Sequence, residues 1–161
     1  MNAQPSFAVD AMLGNIAKKL RILGYDTKYH SSIDDEKLIS IAEQEDRILL
    51  TKDVTLISNA NKKHIKSLLV QGNDDLEQLI QLFNFLGIKN ISISTSLSYC
   101  VSCNGKLEPI EKNIIKNKVP DGVYDIQQNF WICSNCKKIY WEGTHFEKIQ
   151  EFVSKLNNRL Q

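Results

Sequence analysis

Two kinds of side chain in this sequence could hold a metal ion, and they are arranged differently. All four cysteines fall into two pairs, Cys100-x-x-Cys103 and Cys133-x-x-Cys136. Two intervening residues let both thiolates of a pair face one ion from a tight turn. Two such turns complete a tetrahedral sulfur set, the geometry zinc takes in structural sites. The gap from Cys103 to Cys133 suits a ribbon carrying an inserted loop. Two disulfides or unrelated buried thiols are the alternatives, and both fit the spacing less well. A closed four-sulfur set leaves no open position for a reacting group, so catalysis has to be sought elsewhere.

The aspartates supply that second place. Asp10 follows the apolar run Phe7-Ala8-Val9, and Asp34 and Asp35 follow a second strand-like stretch. Asp53 comes two residues after Ile48-Leu49-Leu50-Thr51, and Asp74 and Asp75 follow Leu68-Leu69-Val70. In an open parallel sheet ligands bind beyond the carboxyl ends of the strands, so four distant segments would bring acids to one rim. Clustered carboxylates raise one another's pKa unless cations neutralise them. Hard oxygen donors select magnesium or manganese, ions that also bind phosphate oxygens. Each aspartate taken singly also reads as a helix N-cap or turn former. Capping is the default for Asp34, Asp74 and Asp75, which stand directly before helical stretches. Asp10 and Asp53 resist it better, because the helices after them are expected to start a little later.

Basic and aromatic residues border these groups. Lys18, Lys19 and Arg21 are expected on the polar side of the first helix, either as a solvated face or as a grip on a phosphate backbone. Lys52, between Thr51 and Asp53, could do the same or balance the acids. Arg47 opens the third strand at its far end and reads as a structural ion pair. Tyr140 and Trp141 could stack bases or fill the small core of a ribbon. His145 is a substrate contact or a neighbour of the sulfur set, since four sulfurs already fill a zinc sphere.

The elements that must position these residues alternate. Apolar strands near 7–9, 26–29, 48–51 and 68–70 are separated by helical stretches. Their buried faces carry Leu13, Ile16, Ala17 and Leu20, then Leu38, Ile41 and Ala42, then residues 55–63, then Leu76, Leu79, Ile80, Phe83 and Leu86. Strands separated by helices imply parallel pairing and an α/β sandwich. A first domain over residues 1–88 is followed by a connector rich in Ser, Thr and Asn, read as an exposed link or an edge strand. A second unit over 97–161 holds the ribbon and a last amphipathic helix marked by Phe146, Ile149, Phe152, Val153 and Leu156. So small a ribbon has little core to offer, and that helix is expected to pack back on the first domain.

Bulk properties exclude some function classes. The net charge is +1 over 161 residues, with about −2 in residues 1–86 and about +3 in 87–161, so a general affinity for polyanions does not follow from totals. No apolar run nears the roughly 20 residues that span a bilayer, and Met1-Asn2-Ala3-Gln4-Pro5 has no export-signal character. Metal-type cysteine pairs and no export signal agree on a reducing cytoplasm.

Phe7-Ala8-Val9-Asp10-Ala11-Met12-Leu13-Gly14 and Leu20-Arg21-Ile22-Leu23-Gly24-Tyr25-Asp26-Thr27 resemble the opening of the Mut-seven C-terminal RNase domain family, PIN-like nucleases carrying a zinc ribbon. Asp35-Glu36-x-Leu38, Arg47-Ile48-Leu49-Leu50-Thr51-Lys52-Asp53 and Tyr140-Trp141-x-Gly143-Thr144-His145 extend the similarity over roughly residues 6–150. The resemblance implies a PIN-like three-layer sandwich with a central parallel sheet, plus a small C-terminal zinc ribbon and a terminal helix. It implies a magnesium- or manganese-dependent endoribonuclease acting on RNA. It matches Asp10, Asp35 and Asp53 to the metal-binding carboxylates, with Asp34 and Asp74 as supporting candidates. The family often has an aromatic residue in the first helix where this chain has Lys18-Lys19, a departure that bears on substrate contact. The rival reading is a non-catalytic RNA-binding zinc-ribbon protein whose aspartates are caps; a protein-interaction adaptor with the ribbon as docking surface is a third.

Overall fold

Side chains alternate across a strand, and here the alternation gives the central sheet two apolar faces. The computed structural model describes residues 3–160. Met1 and Asn2, part of the stretch read for an export signal, and Gln161 lie outside the described residues. Strands β1 (Phe7–Val9), β2 (Thr27–Tyr29), β3 (Ile48–Thr51) and β4 (Ser67–Leu69) pair in parallel in the order β2-β1-β3-β4. Phe7, Val9, Ile48 and Leu50 join one core with helices α1 (Gly14–Ile22), α4 (Asp75–Phe85) and α6 (Thr144–Arg159). Ala8 and Leu49 join the other with α2 (Asp35–Gln44) and α3 (Val54–Lys62). The result is the expected three-layer α/β arrangement with a central parallel sheet.

The connections of β1 and β3 diverge. The chain leaves β1 for α1 on one face and leaves β3 for α3 on the opposite face. Their carboxyl ends lie side by side, so a crevice opens between them at the point where the topology switches, the preferred ligand position of open α/β sheets.

Local signals explain most element boundaries. Asp34 caps α2 through the Lys37 amide and Asp74 caps α4 through the Glu77 amide, each satisfying a donor the helix leaves free. Gly24 ends the turn after α1 at φ +90°, where a Cβ would also stand 3.1 Å from the Leu97 carbonyl. One expectation is corrected. Helix α3 begins at Val54, immediately after Asp53, whose carboxylate accepts from the Thr55 and Leu56 amides. Asp53 is therefore a cap as well as a rim residue.

The outward edge of β2 is occupied by side chains rather than by another strand. Asn104 accepts from the Thr27 amide, while the Arg21 guanidinium donates to the Thr27 and Tyr29 carbonyls. Asn104 also donates to Asp26, which pairs with Arg47; Arg47 pairs in turn with Glu45. The structural ion pair expected for Arg47 is thus present.

The second unit carries an antiparallel sheet of β5 (Leu107–Ile110), β6 (Phe130–Cys133) and β7 (Ile139–Tyr140). The loop between β5 and β6 holds a 3-10 turn at Lys112–Ile115 and the short helix α5 (Asp121–Ile126). Ile115 and Val119 bury there against Phe130, with Trp141 tilted over Phe130 at 6.4 Å between ring centroids. The sequence pattern does not reveal this small second core. Helix α6 packs back as expected, with Val153 and Leu156, and Leu160 just past its end, entering the core of the α/β body. Asn157 binds both the amide and the carbonyl of Ile91, so the connector is held as irregular backbone and makes no edge strand. No helix among the described residues is long and apolar enough to cross a membrane.

Candidate metal centres

Thr51 organises the crevice between β1 and β3. Its buried hydroxyl donates to Asp10 Oδ2 at 2.6 Å and accepts from the Asp53 amide at 3.0 Å. The Asp10 amide continues the strand pairing by donating to the Leu50 carbonyl. Asp10 is 7% exposed and makes no side-chain cap for the 3-10 turn that follows it. Behind that turn the Tyr29 hydroxyl donates to the Ala11 carbonyl at 3.1 Å. Gly14 leaves room for it, since a Cβ there would stand 2.6 Å from the hydroxyl. The backbone on either side of Asp10 is thereby tied to β2 and β3.

Asp35 completes the rim from the first turn of α2. Its carboxyl is raised above the ordinary range, first by burial and then by the charges of Asp10, Asp53 and Asp34. Aspartates far apart in sequence thus share one field, the condition a divalent cation relieves. The donor chemistry fits such an ion. Asp10 commits only Oδ2 and Asp53 only Oδ1 to the hydrogen bonds described, and Asp35 commits neither oxygen. These oxygens are less tightly gathered than the sulfurs: among the described residues only the cysteines bring three or more ligand atoms within 4.8 Å of one another. Asp34 is near this group but engaged as a cap, and Asp74 is a cap that is not among the charges acting on Asp35.

The basic residues separate into free and engaged. Lys18 and Lys52 line a polar cleft of about 390 Å3 together with Met12, Asn15, Tyr29 and Gln78. Lys19 is engaged: it pairs with Asp75 at 2.8 Å and lies over the Phe152 ring. Arg21 departs from the expected polar face. It is 4% exposed, and its guanidinium is spent on the Thr27, Tyr29 and Val101 carbonyls. The reason is that the ribbon covers this side of α1, which a helical periodicity alone does not reveal. Burial lowers its pKa, and the Cys100 and Cys103 sulfurs partly oppose that.

The four cysteines meet at one centre. Cys100 and Cys136 sulfurs are 3.6 Å apart and Cys103 and Cys133 sulfurs 3.4 Å. A disulfide is about 2.05 Å, whereas a tetrahedron of about 2.3 Å metal–sulfur bonds has edges of about 3.8 Å. The Asn135 and Cys136 amides point at Cys133 Sγ, and a Cβ on Gly105 would lie 2.6 Å from it. The set fits a structural zinc. Its protonation agrees: burial pushes the Cys103 thiol up, but Asn135 and Gly105 hydrogen bonds bring it down to about 6. The Lys138 amide favours the Cys136 thiolate, yet burial and the neighbouring sulfurs push that thiol up to about 12. Four sulfurs this close ionise together only around a cation.

Tyr140 and Trp141 belong to this unit. The Tyr140 hydroxyl lies 2.9 Å from Cys100 Sγ and accepts from the Val101 amide, and both rings are half-buried in ribbon cores. His145 is exposed beside a small apolar recess near Ile22, at the end of α1 away from Asp10. Sequence reasoning missed Thr51 and Tyr29 as organisers of the rim. The Thr-x-Asp spacing was the available signal for the first; Tyr29 had none.

The model of the family described as Mut7-C RNAse domain matches residues 5–153 of the chain. No curated protein and no solved structure matches it.

Proposed function

This chain belongs to the Mut7-C RNAse domain family, and from that premise we propose that it is a divalent-metal-dependent endoribonuclease. The observation carrying the proposal is the convergence of Asp10 and Asp53 on the Thr51 hydroxyl at the switch point of the sheet, with the Asp35 carboxyl raised first by burial and then by the charges of both. Asp10, Asp35 and Asp53 would hold one or two magnesium or manganese ions. Such an ion supplies an activated water and neutralises charge building on the scissile phosphate. The protein's own part is to present the ligands. Thr51 fixes the rotamer of Asp10 and the backbone of Asp53, and Tyr29 fixes the turn after Asp10. Lys18 and Lys52 hold RNA phosphates beside the scissile bond as screened point charges. In this reading the cysteine cluster binds zinc as a structural ion and takes no part in the chemistry.

The test pairs a cleavage assay with metal binding. Manganese soaked into crystals should give an anomalous peak among Asp10, Asp35 and Asp53, and Asp10→Asn should remove both the peak and RNA cleavage. Parental cleavage rates in Asp10→Asn would overturn the assignment. RNA binding without cleavage under any divalent ion would leave an RNA-binding protein instead.

A further inference from the structure

A second cleft adjoins the carboxylate rim and is closed on its far side by the first cysteine turn. It encloses about 380 Å3 between β2, the start of α2 and the ribbon, within the range of clefts that hold small ligands. Its lining includes Lys28 and Lys37, with His30 beside them and the buried Arg21 behind, whose guanidinium is already spent on carbonyls, against Asp34 as the one carboxylate. Asp34 directly precedes Asp35 in the chain, so the cleft begins where the rim ends. Tyr29 lines both this cleft and the Lys18–Lys52 cleft. The two basic hollows therefore share Tyr29 in their walls, and neither holds an excess of acid. Cys103 and Asn104 supply the outer wall.

We propose that this seam between the α/β body and the ribbon is an RNA-binding subsite. It seats a backbone phosphate and its nucleotide on the strand leaving the carboxylate rim. The inference rests on the ribonuclease reading for the identity of the polyanion, and on the cleft alone for its position. The charge argument is one of complementarity. Lys28 is partly neutralised by Glu45, and one Asp34 oxygen is engaged by the Lys37 amide, whereas Lys37 has no ion pair among those described and His30 is held only by Ser32. The ribbon thereby acquires a function in substrate holding that requires no base contact from Tyr140 or Trp141, whose rings are engaged in its cores.

The experiment uses Asp10→Asn protein and a fluorescein-labelled single-stranded RNA of about twelve nucleotides, a length that spans one binding groove. Anisotropy titrations at several salt concentrations compare it with a version also carrying Lys37→Glu and His30→Ala. The double change should weaken binding about tenfold and flatten the log–log salt slope by about one contact. Lys116→Glu, an equal lysine reversal on the ribbon's inserted loop, should move Kd less than twofold. Photocrosslinking with 4-thiouridine in the RNA should map to peptides spanning 28–37 or 103–104. Equal Kd values for the cleft variant and Lys116→Glu, or crosslinks confined to other peptides, would overturn the proposal. The two readings fail separately. Cleavage by the parent with binding unchanged in the cleft variant sinks the subsite alone. Cleft-dependent binding by a parent that never cuts sinks the nuclease alone. A parent that binds no RNA sinks both.

Discussion

Cys100, Cys103, Cys133 and Cys136 reach their common centre from two tight turns, whereas Asp10 and Asp53 follow the ends of β1 and β3 and Asp35 opens α2. The first set is nearly self-contained: its geometry is fixed by two short spacings and one small antiparallel sheet. The second exists only once a parallel sheet has formed, because β1, β2 and β3 must register before their carboxyl ends meet. The sulfurs are also single-purpose, while two of the four clustered aspartates double as helix caps. In the proposed reading a closed soft site would give shape to a unit with little core, and an open hard site would leave coordination positions for substrate. The comparison can be broken at either centre.

The largest effect is expected at the sulfurs. Structural zinc in small domains contributes about 10–16 kcal/mol of folding free energy, so Cys133→Ser or metal removal should unfold the ribbon. Trp131 and Trp141 are the only tryptophans and both lie in that unit. Their emission should shift to the red while the far-ultraviolet helical signal largely persists. Loss of both signals together would mean that the two units are not separable in this way. At the other centre, Asp10→Asn should lower RNA cleavage by about a thousandfold, roughly 4 kcal/mol of barrier, with tryptophan emission unchanged.

Thr51→Val sharpens the contrast, since it removes no ligand from the rim but leaves a buried carboxylate without its donor. Unfolding in urea should show a loss of about 1–3 kcal/mol, and cleavage should fall about ten- to a hundredfold. Parental activity in this variant would mean that Asp10 is held by something else. The smallest effect concerns the Asp26 junction. Burial raises the Asp26 carboxyl, but hydrogen bonds from Arg47 and Asn104 outweigh it and leave the pKa below its ordinary value of 3.8. Its stabilisation is therefore complete above that value and is lost as pH falls through the lowered pKa. Because the side chain is 38% exposed, solvent screening holds the contribution under about 1 kcal/mol. Asp26→Asn should lower thermal stability at neutral pH by no more than that amount, and its difference from the parent should vanish as pH falls through the lowered pKa, flattening the acid limb.

The same contrast explains what could be read in advance. The cysteine spacing needed no fold, and the apolar runs at Phe7-Ala8-Val9 and Ile48-Leu49-Leu50 carried the parallel sheet because buried strands are apolar throughout. The rim was legible only as acids following strands. Which of them share a field depends on strand order β2-β1-β3-β4 and on the divergence after β1 and β3, and neither is encoded locally. Arg21 was misread for a related reason: helical periodicity marks one buried face, and the face the ribbon covers is the other. The inserted loop's own core, with Ile115, Val119 and Phe130, was hidden because its apolar residues are too few and too irregularly spaced to show a period.

The side chains of Arg21 and Asn104 along β2 have a consequence for how the molecule behaves in company. A bare outer strand offers its amides and carbonyls to any neighbouring chain, and proteins guard against this with charged or covering groups. Here the guard is borrowed from the cysteine turn, because Asn104 follows Cys103 directly and Val101 anchors Arg21. Damage to the turn would then expose a sticky strand on an otherwise intact sheet. The first sign of metal loss in a concentrated solution should be self-association, visible as growth in light scattering before the helices melt.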